Sequence, residues 1–517
     1  MTPDKPDLVL HEGVVFGHPE SDSVVIVGGR IAAHGRFAEL KAACVGPRTH
    51  LVRLAGRAVA PGFIDSHLHF LAAASVAAGV QVSKCRTIAE LIVELRMAAG
   101  RTPPGNWIKA FGCDEALLKE RRGPMRAELD QATPRNPLRM RHQTLHASWL
   151  NSRAIAALGL ESPDSAPAGG AYLERDAAGR LTGFVVGMEQ WLTRHLPPVT
   201  GAALEAHTRA FSRDLAAAGI TAFTDATVRN GPDEIAIFEK LSGAICQRVS
   251  LMIGAHHLDS AADAIRAHRG AIRLVAAKFM EAGANSDCAM MANRAAMASR
   301  LGLDCAFHAT EVEELEAALR AFEAVAEMTP AQPSGATRLR IEHGGLIPPN
   351  YLERLAGAGA WVVTNPGFIH YRGAKYLRQP GLVPHIYRAR SLLRAGIKLA
   401  AGTDAPVAPA RPLAAVAAAI TRTTLDGEAL APEEGLGVQE AFGLFTKAAA
   451  RLARLEAGEI APGMLADLIV LPKNPLALGA SEFAALPVDI TIVGGRIVYE
   501  RGRPAVAHSD SADLRST

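Results

Sequence analysis

Eight short apolar runs, each followed by an Ala-rich stretch of helical character, constrain this chain more than any other feature. They centre on AVAPGFIDSH, ITAFTDA, RVSLMIG, IRLVAAKFM, DCAFHA, RLRIEH, AWVVTNP and IKLAAGTD. Strand–helix alternation of this kind builds βαβ units and a parallel sheet. Eight such units are the number that closes a (β/α)8 TIM barrel. An open doubly wound sheet would need a Gly-rich phosphate-binding turn, and none is found. The predicted fold class is therefore α/β, a (β/α)8 barrel.

The two ends of the chain carry a repeat. VVIVGGRIAAHGR, from Val24 to Arg36, returns as ITIVGGRIVYERGR, from Ile490 to Arg503. Each copy predicts a β-hairpin around a Gly-Gly turn. A hairpin cannot bury its apolar face alone, so the two ends are expected to share one small β-domain, with MLADLIVL supplying a further strand. These patterns place a β-sandwich domain at 1–58 plus 459–507 and the barrel at 59–458. Barrel spacing is even except after the first strand, where 77–204 is far longer than an ordinary βα loop. That insertion, with short strands of its own, is expected to cap the barrel mouth.

At 517 residues the chain exceeds one ordinary core. With 49% hydrophobic and 21% charged residues it is globular, and a net charge of +3 calls for neither nucleic acid nor an anionic membrane. Its longest apolar stretches fall well short of the about 20 residues that span a bilayer. Six scattered cysteines form no CxxC pair and fit a reducing compartment. The N-terminus lacks the apolar core of a signal peptide, so the expected location is cytoplasmic. A homo-oligomer is compatible with the Ala-rich helices and is not required by them.

Chemistry collects at the ends of the predicted strands. The first closes on Asp65-Ser66-His67-Leu68-His69. Alternation sends His67 and His69 to one face and Leu68 to the other, which makes half of a metal site. The fourth, fifth, sixth and eighth strands end in Lys278, His308, His343 and Asp404. In a TIM barrel the C-terminal strand ends line the active site. Three strands ending in His, joined by Asp and Lys, are ligand types and point to a bound cation.

These motifs resemble the amidohydrolase superfamily of metal-dependent hydrolases. PGFIDSHLH resembles its first-strand signature, RIEH its sixth-strand histidine, AGTDAPV its eighth-strand aspartate and GEIAPGMLADLIVL the strand closing its β-domain. The long insertion, WIKAFG, His146 with Trp149-Leu150-Asn151-Ser152, and GRLTGFVVG resemble the branch that includes N-substituted formamide deformylase. The resemblance implies hydrolysis of a C–N bond (amide, formamide, cyclic amide or carbamate-like) in a small-molecule substrate. It implies a divalent metal, Zn(2+) by expectation, one or two per chain, held by His67, His69, Lys278, His308, His343 and Asp404. The attacking group would be metal-bound hydroxide, with Asp404 as general base and acid and His343 helping to polarise the carbonyl. Lys278 would then be N6-carboxylated, because a protonated lysine has no lone pair for a metal. Glu281, three residues on, would face the other way from Lys278 on a regular strand. Where the branch usually has Gly-Asp after its fifth-strand histidine, this chain has His308-Ala309-Thr310-Glu311. That departure resembles the single-metal deaminases and gives the alternative, deamination of an amino-heterocycle with Glu311 as proton donor. His146, in the insertion, is the candidate substrate contact.

Overall fold

The structure, a computed structural model, describes residues 7–144, 146–161, 171–280, 287–328 and 337–503. Glu281 lies outside the described residues. The chain divides into two compact units, 1–70 with 212–517, and 71–211. Among the described residues no helix is long and apolar enough to cross a membrane.

The first unit contains the barrel. Its strands are β1 (Phe63–Leu68), β2 (Ile220–Asp225), β3 (Arg248–Gly254), β4 (Arg273–Phe279), β5 (Asp304–Ala309), β6 (Leu339–His343), β7 (Trp361–Thr364) and β8 (Lys398–Ala401). They lie in one eight-stranded sheet in chain order, each parallel to the next. All eight predicted strands are present. The first run, however, divides in two. Ala58–Pro61 pairs with Leu468–Leu471 in a terminal sheet, and only Phe63–Leu68 enters the barrel. Pro61 has no N–H to continue a ladder, and Gly62 packs so close to Thr221 that a Cβ would sit 2.3 Å from its side chain.

Beyond β8 the chain returns to β1. The Asp404 amide donates to the His67 carbonyl at 2.7 Å, and the His69 amide to the Ala405 carbonyl at 2.8 Å. Gly402 makes this approach possible, since a Cβ there would lie 2.6 Å from the His67 Cβ. Met252, Ala276 and Ala306 cluster in the barrel, and the next residues on the faces of Ala276 and Ala306 are Lys278 and His308. Small side chains in the layer beneath leave the strand ends free for larger polar groups.

The terminal segments form a four-stranded and a five-stranded sheet. Their buried faces share one apolar cluster that includes Leu8, Leu10, Val24, Ile26, Leu468, Val470, Ile490 and Ile492. The repeated Gly-Gly pairs have matching turns: φ is 55° and 74° at Gly28 and Gly29, and again at Gly494 and Gly495. Left-handed values at both positions identify the two-residue hairpin turn that glycine favours. The two turns touch, for a Cβ on Gly29 would lie 2.9 Å from the Gly494 carbonyl oxygen.

The second unit is built on a six-stranded sheet. Its apolar face, with Ile108, Ala110, Leu138, Met140 and Trp149, packs with residues of the helices Ile88–Arg101 and Arg126–Ala132.

Gly402→Ala should therefore open the β1–β8 seam. We expect a loss of at least about 2 kcal/mol in unfolding free energy, the scale of core overpacking, measured by denaturant melts. Wild-type stability in that variant would mean the seam is looser than described.

Candidate metal centre

Six strand-end side chains meet at the rim of the barrel. His67 Nε2 lies 3.6 Å and His69 Nε2 3.1 Å from Asp404 Oδ1. Ligand atoms of these three residues all lie within 4.8 Å of one another. The His343 ring centroid is 4.7 Å from that of His67 and 4.7 Å from that of His308. Lys278 is 1% exposed, and its charge acts on His67, His308 and His343.

Two of these residues depart from ordinary backbone geometry. Arg340 and Glu342 share a face of β6, and Glu342 reaches His67, so strict alternation would turn His343 away. His343 instead adopts φ 73°, and Asp404 adopts φ 59°. Left-handed backbone at a non-glycine residue costs on the order of 1–3 kcal/mol and concentrates at functional sites. Here it brings both side chains to the same rim.

The orientations of His67, His69 and His343 are fixed from behind. The Asn365 amide donates from Nδ2 to the Gly402 carbonyl at 2.9 Å, which leaves its Oδ1 facing His343 Nδ1 at 2.7 Å. Because Oδ1 only accepts, His343 carries its proton on Nδ1 and keeps the Nε2 lone pair free. His67 Nδ1 is 2.5 Å from the Glu342 carboxylate, and His69 Nδ1 is 2.9 Å from Thr227 Oγ1. Glu342 is itself fixed by Arg340 Nε at 2.9 Å. Asp65 accepts from the Thr403 amide at 2.9 Å and from its hydroxyl at 2.5 Å, securing the segment that carries Asp404.

Burial governs the electrostatics. It lowers His67 to about 3, with the Lys278 charge adding to the effect. It lowers His308 to about 4, helped by His343 and Lys278, and it also lowers His343. These rings are therefore neutral at pH 7, the form of imidazole that can ligate a metal. Burial would raise Asp404, but His69 and the imidazoles of His343 and His67 hold it well below the usual carboxylate range. Glu342 behaves likewise, with Arg340, His67 and Lys278 overcoming the burial effect. Burial lowers Lys278 to about 8, partly offset by Glu342 and Asp404.

This donor set fits a divalent cation. His67 Nε2, Asp404 Oδ1 and Lys278 Nζ are buried without a hydrogen-bond partner among the described residues. Unpaired buried polar atoms are costly, and two of these, His67 Nε2 and Asp404 Oδ1, lie 3.6 Å apart, as atoms sharing one ligand would. Tetrahedral sites with bonds of about 2.0–2.1 Å have ligand atoms about 3.3 Å apart, a value bracketed by the two distances to Asp404.

Two further residues were singled out, Glu311 in the barrel unit and His146 in the 71–211 unit. Glu311 is exposed at the start of the helix Val312–Met328, and among the described residues no contact joins its carboxylate to the histidines. Its amide instead donates to Glu314 at 3.1 Å, and Glu314 is the acid near His308, 4.0 Å from Nε2. His146 lies exposed in the 71–211 unit, with its carbonyl accepting from the Gly187 amide at 3.0 Å. Conversely, Glu342, Asn365, Thr227 and Glu314 were not singled out from sequence. Only Glu342 left a signal, as the partner of Arg340 two residues away on the same strand face.

Comparison with known proteins agrees with this geometry. The amidohydrolase family model matches residues 51–499. The chain belongs to the amidohydrolase family. It is an enzyme of that class, acting on carbon–nitrogen bonds other than peptide bonds. It is 27% identical to N-substituted formamide deformylase of Arthrobacter pascens over 93% of this chain and 95% of the relative. It is 26% identical to the protein LONG AFTER FAR-RED 3 of Arabidopsis thaliana, over 95% and 91%. An uncharacterized metal-dependent hydrolase from Pyrococcus horikoshii OT3 shares the fold, with a TM-score of 0.73, 21% identity, and coverage of 92% of this chain and 99% of that one.

Glu342 touches His67 from behind, so its role is to position. Glu342→Gln should weaken metal affinity about 10–100-fold, the range seen when a carboxylate behind a ligating histidine is removed. Competition with a calibrated chelator measures it, and unchanged affinity would remove Glu342 from the site.

Proposed function

We propose that this amidohydrolase is metal-dependent and cleaves the amide or formamide C–N bond of a small molecule. Cyclic amides and carbamate-like groups offer the same reacting centre. The observation that carries this reading is the set His67, His69 and Asp404, with ligand atoms within 4.8 Å of one another and with His67 Nε2 and Asp404 Oδ1 buried without a hydrogen-bond partner among the described residues. His67, His69, His308, His343 and Asp404 would hold the cation. Nitrogen and carboxylate donors of this kind suit zinc. A bound divalent cation would lower the pKa of water to near neutrality and polarise the carbonyl.

The chain's own residues complete the reaction. Asp404, through the carboxylate oxygen not given to the cation, would take a proton from the attacking water as the water oxygen bonds to the carbonyl carbon. Asp404 then returns that proton to the nitrogen as the C–N bond breaks, leaving a carboxylic acid and an amine. His343, fixed as its Nδ1–H tautomer by Asn365, presents Nε2 toward the same centre. Lys278 Nζ, buried and without a partner, is suited to addition of CO2, which would replace an ammonium with a carboxylate ligand and admit a second cation. Similarity to N-substituted formamide deformylase makes N-substituted formamides the first substrates to test. The deaminase alternative rested on Glu311, and no observed contact favours it.

Removal of metal by chelation should abolish turnover of the N-substituted formamides, and zinc should restore it. His67→Ala and Asp404→Asn should each lower kcat about a thousandfold or more while the chain stays folded by circular dichroism. Retained activity in either variant would reject the assignment. In enzyme supplied with 13C-bicarbonate, a carbamate carbon resonance should appear and be absent from Lys278→Met; no resonance in wild type would leave Lys278 unmodified.

A further inference from the structure

In the 71–211 unit, the sheet face opposite the apolar core carries an uncompensated group of cations. Ile108–Cys113 and Leu138–His142 are parallel neighbours, with Lys109 paired to Arg139 and Phe111 to Arg141. Arg141 in turn is paired to Ser148 on Ala147–Leu150. Residues two apart share a face, so Lys109, Arg139, Arg141 and Ser148 stand together on one side. Ile108, Ala110, Leu138 and Met140 fill the other.

One carboxylate serves this group. Glu189 binds Arg139 through Nη2, Arg141 through Nη2 at 2.7 Å, and the Ser148 hydroxyl at 3.0 Å. Lys109 has no hydrogen bond or ion pair among the described residues, and Arg141 Nε is buried without a partner. His207, whose Nδ1 is also buried and unpartnered, lies close enough to feel the Lys109 charge. Among the described residues, three cations against one anion leave two positive charges in excess. Arg139 is only 5% exposed, so solvent cannot disperse that excess freely. Burial and the Arg139 charge both act to lower Lys109, as expected of an ammonium held beside a guanidinium with no counterion.

We propose that Lys109, Arg139 and Arg141 form a binding site for an oxyanion, the carboxylate or phosphate group of a small molecule. Such a group satisfies the open donors of Lys109 and Arg141 and neutralises charge that Glu189 leaves over. Guanidinium forks and an ammonium are the side chains that recognise these groups. The site uses no member of the metal centre, so its test is independent of the reading above.

The test is calorimetric titration of the metal-loaded full chain with sulfate and, separately, with succinate. Ionic strength is held constant with chloride. Saturable binding is expected in wild type, retained in Lys109→Arg and weakened tenfold or more in Lys109→Met and Arg141→Met. Preference for sulfate would indicate a phosphate-like group, and preference for succinate a carboxylate. Thermal melts without anion check folding, and Lys109→Met should melt no lower than wild type because it removes like-charge repulsion. Absence of saturable binding in wild type, or equal affinity in wild type and both methionine variants, overturns the proposal.

Discussion

The site depends on the seam between β1 and the segment that follows β8. There the Asp404 amide bonds to the His67 carbonyl, so residues from opposite ends of the barrel sequence become neighbours. Gly402 permits the approach, and its carbonyl orients Asn365, which sets the proton on His343. Asp65 binds Thr403 across the same seam. Burial pushes Asp65 up to about 7, partly opposed by those hydrogen bonds. Closure of the barrel and placement of the candidate ligands are thus one structural event.

A second constraint is the charge beneath the rim. Arg340, Glu342 and Lys278 are all at most 1% exposed. Buried ions cost several kcal/mol each unless paired and hydrogen-bonded. Arg340 and Glu342 satisfy one another, and Glu342 also binds His67. Lys278 finds no hydrogen-bond partner among the described residues. The chain therefore tolerates both unpaired buried groups and left-handed backbone at His343 and Asp404, all within one centre.

Much of this architecture was legible in the sequence because it rests on short periods. Alternation paired His67 with His69, and the eight strand–helix units gave the barrel. The Gly-Gly repeat foretold two hairpin turns, which the structure shows with the same φ values. What escaped was set by tertiary contact. Asn365, Thr227 and Glu342 act through partners 22, 158 and 275 positions away in the chain. The His-x-x-Glu spacing drew attention to Glu311, yet the helix begins so that Glu314 turns back toward His308. Strict alternation would also have sent His343 to the wrong side, and only its left-handed φ returns it.

The most direct measurement of the central claim is an anomalous-diffraction map from crystals of the enzyme purified with its native metal. The account predicts a peak within bonding distance of His67 Nε2, His69 Nε2 and Asp404 Oδ1 together. A peak bound elsewhere, or metal-replete active enzyme with no density at that point, would contradict it.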